Sequence, residues 1–255
     1  MGAGFLLALL AAAGLQMGAL RDPGLNENQI HAAWKAFDED PARFPVGNNY
    51  PFMEHFRKAA QRHHLPVSLL LAVARGESSF NPRAAREDSR CYGLMQIQYP
   101  GTAKDMGVQK KEDLYRPEIN IEAGARYLAW LKKRYGSTYL ALAAYNYGPG
   151  RVSKGNVPDG AQWYAAYIYR DNLLKILETN YEERQWILVN EYTHYRAAVH
   201  FQDFWSKKVS DVSLEVKKSN KYTYDLYIAY KDEADRLRSV DRFMKITGFR
   251  PMGLD

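Results

Sequence analysis

The chain has 255 residues, 46% of them apolar, with 35 Lys and Arg against 29 Asp and Glu and a net charge of +6. That length permits one large domain or a core domain with an appendage, and the apolar fraction suffices for a sizeable core. The positive balance suits an acidic partner such as a cell-wall polymer, but it is spread out, with no dense Lys/Arg run and no aromatic RNA-binding signature, which argues against nucleic acid. The one cysteine, Cys91, has no second thiol for an internal disulfide.

Residues 4–20, "GFLLALLAAAGLQMGAL", form a short, continuously apolar run resembling a signal-peptide core, with "AAA" ahead of a cleavage site. The alternative is a short membrane anchor at the lower length limit for spanning. Either reading places the protein outside the cytoplasm, in the periplasm or cell envelope. Residues 21–50 are turn-rich and read as a linker holding one short helix near Ile30–Phe37.

Helical patterning follows. Phe52, Phe56, Ala59, Ala60 and His63 fall on one helical face. Pro66 opens a second helix, "LPVSLLLAVARG", with its stop expected near Gly76. "NIEAGARYLAWLKKRYG" is an amphipathic helix with Gly136 past its end, and Ser137 is the expected cap of the next, "TYLALAAYN", which breaks at "YGPG". "AQWYAAYIYRDNLLKILE" is a further helix. Beyond residue 181, "EERQWILVNEYTHYRAAVHFQDFW" reads as helix. The alternation of Val212, Leu214 and Val216, then Tyr222, Tyr224, Leu226, Ile228 and Tyr230, predicts a β-hairpin, and "DEADRLRSVDRFMKI" closes as a helix. The domain division expected is 1–20 signal-like or anchor, 21–50 linker, 51–180 a helical domain, and 181–255 an α+β extension.

Glu77 stands out because it ends an almost wholly apolar helix. Burial and the negative end of the helix dipole both disfavour a carboxylate there, while Arg75 could oppose them. If burial and dipole prevail, the carboxyl holds its proton near neutral pH, as a general acid requires. A solvated helix-end glutamate is the plain alternative.

The residues after it carry a resemblance. "GESSFNP" and "YGLMQIQYPGTA", then "NIEAGARYLAWL" at 120–131 and "ALAAYNYGPGRV" at 141–152, are similar in order and spacing to the catalytic domain of soluble-type (SLT) lytic transglycosylases, in the lysozyme-like superfamily. The resemblance runs from about Pro51 to Glu178, roughly half the chain. It implies a mainly α, lysozyme-like domain with a substrate groove. It also implies cleavage of peptidoglycan between N-acetylmuramic acid and N-acetylglucosamine with a 1,6-anhydro product, and no metal or cofactor. Glu77 matches the family's catalytic acid and base. Ser78 and Ser79 lie beside it as hydroxyls able to reach it. Gln96 matches a groove-lining glutamine, and Tyr145 and Asn146 match an active-site pair.

Departures from the family pattern fall on the same positions. Gln98 stands where methionine is usual, and Tyr147 interrupts "Ala-Tyr-Asn-Ala-Gly". The family's Glu-Thr-Arg-x-Tyr-Val helix is replaced by "GAQWYAAYIYRDN", in which Tyr164, Tyr167 and Tyr169 compete for the tyrosine and Tyr167 is preferred. Two competing readings stay open. A goose-type hydrolase on the same fold would need a second carboxylate, for which Glu87 or Asp88 is placed; the plain alternative is that "RAAREDSR" is a solvated charged loop. Alternatively the domain is an accessory component of a secretion system or phage particle, docked through 181–255. No His-Glu-x-x-His, Cys-x-x-Cys, Gly-x-Ser-x-Gly or phosphate-binding loop occurs.

Overall fold

The computed structural model describes residues 27–152, 156–178, 182–219, 223–252 and 254. The signal-like or anchor segment expected at 1–20 lies outside the described residues. The described chain divides into two units, which separate at 181/182.

The first unit is helical. It comprises α1 (Glu27–Glu39), α2 (Met53–His63), α3 (Val67–Ser78), α4 (Gly101–Asp105), α5 (Pro117–Tyr135), α6 (Thr138–Tyr147), α7 (Asp159–Tyr167), a π-helical segment (Ile168–Leu173) and α8 (Leu174–Glu178). A small antiparallel sheet, β1 (Ala85–Arg86), β2 (Cys91–Tyr92) and β3 (Ile97–Gln98), folds back after α3. The core forms around α3, in which Leu69, Leu70, Leu71, Ala72, Val73 and Ala74 are all fully buried. A helix with no polar face cannot sit at a surface, and α2, the π-helical segment and α8 pack against it.

Three expectations change. First, α3 does not stop near Gly76 but runs through Glu77 to Ser78, and Ser79 closes it in a left-handed conformation (φ 51°). Gly76 serves close approach instead: a Cβ there would lie 2.6 Å from Ile168 Cδ1 and 3.1 Å from a ring carbon of Tyr167. Second, residues 27–50 are not a linker. α1 is longer than the Ile30–Phe37 piece expected, and its Trp34 and Phe37 are fully buried, with Trp34 Nε1 donating to the Ala165 carbonyl at 3.0 Å. Ile30, Ala33, Trp34 and Phe37 have helical spacing, which the turn residues around them hid. Third, Ser137 makes no side-chain cap to α6. Asp38 of α1 does that work: its Oδ2 accepts the Thr138 amide at 2.8 Å, and its Oδ1 accepts from the Thr138 hydroxyl and from Lys132 Nζ. A negative side chain at a helix N-terminus satisfies an orphan N–H and meets the positive end of the dipole.

The second unit comprises β4 (Gln185–Tyr192), α9 (Tyr195–Ser206), β5 (Leu214–Lys218), β6 (Tyr224–Tyr230) and α10 (Glu233–Thr247). The β5–β6 hairpin is the one the alternation predicts. Its sheet is antiparallel in the order β4-β6-β5, with Ile187 opposite Ile228 and Val216 opposite Leu226. Residues 185–192 were expected to be helical and are instead the third strand. Trp186, Ile187, Val189 and Tyr192 favour extended backbone, and pairing with the central strand β6 decides the matter. A register shift between Leu188 and Asn190 removes the clean period of two by which a strand is recognised. Both α9 and α10 pack on β6, where Ala198, Val199 and Phe243 are buried together with Leu226 and Ile228. Among the described residues no helix is long and apolar enough to cross a membrane.

Asp38→Ala is expected to lower unfolding free energy by about 1–2 kcal/mol in urea titrations, because Thr138 and Lys132 lose their shared acceptor. Asp40→Ala, which removes only an exposed pair with Arg43, is expected to change it by less than about 0.5 kcal/mol.

Candidate active site

Glu77 is 4% exposed, in the last turn of α3. Tyr164 Oη, from α7, donates to its Oε1 at 2.7 Å. Arg86, from β1, donates through Nη1 to its Oε2 at 3.0 Å and through Nη2 to its backbone carbonyl at 2.7 Å. Each carboxylate oxygen therefore has a donor, and the buried charge has a cation beside it. Taking an unpaired charge out of water costs several kcal/mol, so burial of Glu77 and capture of Arg86 belong together.

The cation near Glu77 is thus Arg86 and not, as the sequence suggested, Arg75. The Arg75 guanidinium donates to the Asp171 carbonyl at 2.6 Å and to Asn172 Oδ1 at 3.0 Å. "RAAREDSR" is correspondingly only half the solvated loop expected. Arg83 and Arg90 are exposed, as are Glu87 and Asp88, but the Arg86 side chain is only 14% exposed. Alternation along the extended segment turns Ala84 and Arg86 inward between exposed neighbours. Glu87 accepts from the Tyr92 hydroxyl at 2.8 Å, a bond that chiefly pushes the Tyr92 pKa up to about 12.

The tyrosine on the acid is Tyr164, where Tyr167 was preferred. Tyr167 lies one turn further along the same helix face and donates to the Gly76 carbonyl at 3.0 Å. Positions 164 and 167 face the same way on any helix, and only the docking of α7 on α3 determines which ring meets the carboxylate. The π-helical segment begins immediately after, at Ile168, and such segments often mark functional sites.

The serines do not touch the carboxylate as expected. Ser78 Oγ lies 2.7 Å from the Leu94 carbonyl and 3.2 Å from the Ala74 carbonyl, and Ser79 terminates the helix. Ser78 thereby ties α3 to the "GLMQI" turn. That turn is held more firmly by Asn120 of α5, fully buried, whose Oδ1 accepts the Met95 amide at 2.7 Å while Nδ2 donates to the Tyr92 and Leu114 carbonyls, both at 2.8 Å. Gly93, at φ 78°, is required by crowding as well as by conformation, since a Cβ would sit 2.1 Å from the Leu114 carbonyl oxygen. One turn along from Asn120, a Cβ at Gly124 would sit 2.4 Å from Met95 Sδ. The Asn-x-x-x-Gly spacing is therefore a receptor for the turn.

Gln96 is turned inward. Its Nε2 donates to the Gly93 carbonyl at 3.0 Å and the Ala84 carbonyl at 3.2 Å, and its Oε1 is buried with no partner among the described residues. It braces the loop, whereas a groove-lining role was expected. Gln98 is exposed on β3, its Nε2 3.5 Å from the Ser89 carbonyl. Tyr145, on α6, donates to the Met95 carbonyl at 2.8 Å; burial, and then the nearby Glu77 charge, hold its pKa well above the ordinary tyrosine value. Asn146 is half-buried, with Oδ1 unpartnered among the described residues. Tyr147 fits because residue 160 is glycine, where a Cβ would sit 2.0 Å from its hydroxyl oxygen. The structure thus brings Glu77, Arg86, Tyr164 and Tyr145 together around the "GLMQI" turn. Among the described residues no cluster of His, Cys, Asp and Glu could hold a metal ion.

Asn120→Ala leaves three buried backbone groups without partners, and a loss of roughly 3 kcal/mol or more is expected on thermal or urea unfolding, with release of the 92–96 turn visible as faster amide exchange there.

The transglycosylase SLT domain family matches residues 54–168. The chain is 35% identical over 132 residues to the soluble lytic murein transglycosylase of Escherichia coli strain K12, covering 49% of this chain and 20% of that protein. It is also 35% identical over 138 residues to the membrane-bound lytic murein transglycosylase C of Pectobacterium atrosepticum, covering 48% of this chain and 38% of that protein. The chain thus spans well under half the length of these relatives. The crystal structure of the 70 kDa soluble lytic transglycosylase from Escherichia coli aligns at 27% identity and a TM-score of 0.39, over 60% of this chain and 26% of that one. The match begins in α2, ends where the π-helical segment starts, and contains Glu77, Arg86, Gln96, Tyr145 and Tyr164, so the similarity to the transglycosylase SLT domain takes in all of the residues gathered around Glu77.

Proposed function

We propose that the protein is a peptidoglycan lytic transglycosylase with Glu77 as its acid and base. The observation that carries this reading is the position of Glu77: one carboxyl, almost fully buried, held by Tyr164 at the end of α3 inside the SLT match. The reaction needs one group that gives a proton and then takes one. Protonated Glu77 donates to the glycosidic oxygen as the bond from C1 of the muramyl sugar breaks, and the glucosaminyl product leaves with that proton. The C6 hydroxyl of the same muramyl sugar then closes on C1 and gives its proton to the Glu77 carboxylate. The product is a 1,6-anhydromuramyl end, no water is consumed, and Glu77 returns to its starting form.

Three features support the reading. The carboxyl is almost fully buried, so bulk water competes little for its proton once substrate covers it. Tyr164 both donates and accepts hydrogen bonds, so it can serve either charge state of Glu77. Of the two carboxylates a hydrolase could use to position water, Glu87 accepts from the Tyr92 hydroxyl at 2.8 Å and Asp88 from the Ser89 hydroxyl at 3.3 Å. The reading places the protein's action in the cell envelope, where its polymer is found. We assign the chemistry to residues 51–180 and a partner-facing role to the unit that follows. On that unit Phe201, Phe204, Leu237 and Met252 are exposed apolar side chains that a partner could cover.

Incubating the protein with purified peptidoglycan and weighing the released muropeptides tests the reading. Anhydro products one water lighter than hydrolysed ones are expected, and none from Glu77→Gln. Reducing-end products would move the assignment to the hydrolase. Tyr164→Phe is expected to lower the rate of release by about tenfold or more while the fold persists by circular dichroism.

A further inference from the structure

Arg86 lies in the segment that looked most like solvated loop, yet its guanidinium spends two donors on Glu77 alone: Nη1 on Oε2 at 3.0 Å and Nη2 on the backbone carbonyl at 2.7 Å. The pair is shielded, with side-chain exposures of 14% and 3%, so solvent screens it little. The two carboxylate oxygens face chemically different partners. Arginine has donors and no acceptor, so a proton on Oε2 would point at an N–H. Tyrosine has both, so a proton on Oε1 meets Tyr164 with its hydroxyl turned to accept.

We propose that Arg86 is a positioning residue for the acid–base cycle, which fixes Oε1 as the proton-bearing oxygen of Glu77 and sets the pH at which that proton is held. The inference rests on the reading of Glu77 as acid and base. A cation on Oε2 favours the carboxylate. It speeds proton donation, because it stabilises the charge left behind, and it reduces the fraction of protein protonated at neutral pH. Among the described residues Arg86 is the cation bonded to the Glu77 carboxylate, and the Tyr164 hydroxyl, as a donor, favours the carboxylate in the same sense. Tyr145, from α6, is held neutral by burial and by the Glu77 charge itself, and Tyr164, from α7, is a neutral donor. Arg75, on α3, is directed to Asp171 and Asn172.

The test is the pH dependence of kcat/KM for anhydromuropeptide release by the wild type, Arg86→Gln and Arg86→Lys. The form active as an acid is protonated, so activity is lost as pH rises through the Glu77 titration. Removing the cation moves that alkaline limb to higher pH, by about one unit or more, and lowers the acid-side plateau. Arg86→Lys keeps the charge and is expected to hold the limb nearer the wild type. A limb unmoved in Arg86→Gln overturns the inference, even if the plateau falls, because loss of the bond to the Glu77 carbonyl could lower activity on structural grounds alone. Carbon NMR of the labelled Glu77 carboxyl, assigned by its loss in Glu77→Gln, reads the same shift without turnover. Should both Arg86 variants fail to fold, nitrogen NMR of the wild-type Arg86 guanidinium decides: Nη resonances that do not move as the Glu77 carboxyl titrates overturn the inference. A wild type that releases no anhydromuropeptides at any pH removes the transglycosylase reading, and the NMR titration still decides the role of Arg86.

Discussion

A carboxylate sealed at the end of an apolar helix is the constraint around which the first unit is arranged. The middle of α3 is fully buried, and Glu77 at its end is only 4% exposed. Its charge must be met inside the protein, and two separate segments supply what is needed. The strand after α3 returns with Arg86, and α7 arrives with Tyr164. Neither bond is local: they join residue 77 to a loop nine residues on and to a helix 87 residues on. The cost of leaving such a group unpaired makes this placement cooperative, because weakening either element exposes the other to an unsatisfied charge.

The loop that carries Arg86 is shaped from below by α5. Asn120 accepts the Met95 amide and donates to the Tyr92 carbonyl on one side and the Leu114 carbonyl on the other, and Gly124 leaves room for Met95. A buried side-chain amide with every donor and acceptor used is worth far more as an anchor than one facing water, where solvent competes for the same bonds. Ser78 and Tyr145 add two further ties, to the Leu94 and Met95 carbonyls. The backbone of the "GLMQI" turn is thereby bonded from three helices. Residues that a motif reading assigns to the substrate, Ser78 and Gln96 among them, turn out to hold the platform on which the reacting residues sit.

Much of this was legible beforehand. The apolar run with a terminal glutamate, the helices at 53–63, 67–78 and 117–135, and the β5–β6 hairpin all follow from periodicity, and the SLT assignment rests on four short motifs in order. What was misread shares one cause. Residues 21–50 read as a linker because their turn formers outweigh Trp34 and Phe37, whose value appears only when they are buried. β4 lost its alternation at an irregularity in its pairing. Ser137 was a sound local cap, outcompeted by Asp38 from another helix.

The sequence by itself determined that Glu77 would close an apolar, buried helix, that a glycine-containing turn would follow it, and that a tyrosine-rich helix would come later, since composition and helical spacing act over a few residues. Only the tertiary structure decided which cation and which hydroxyl meet the carboxylate. Arg83, Arg86 and Arg90 carry the same charge, and Tyr164 and Tyr167 share one helix face, so nothing local separates them. The choice was made by the register of β1 beside β2 and the docking of α7 on α3, where a displacement of one turn, about 5.4 Å, exchanges one tyrosine for the other.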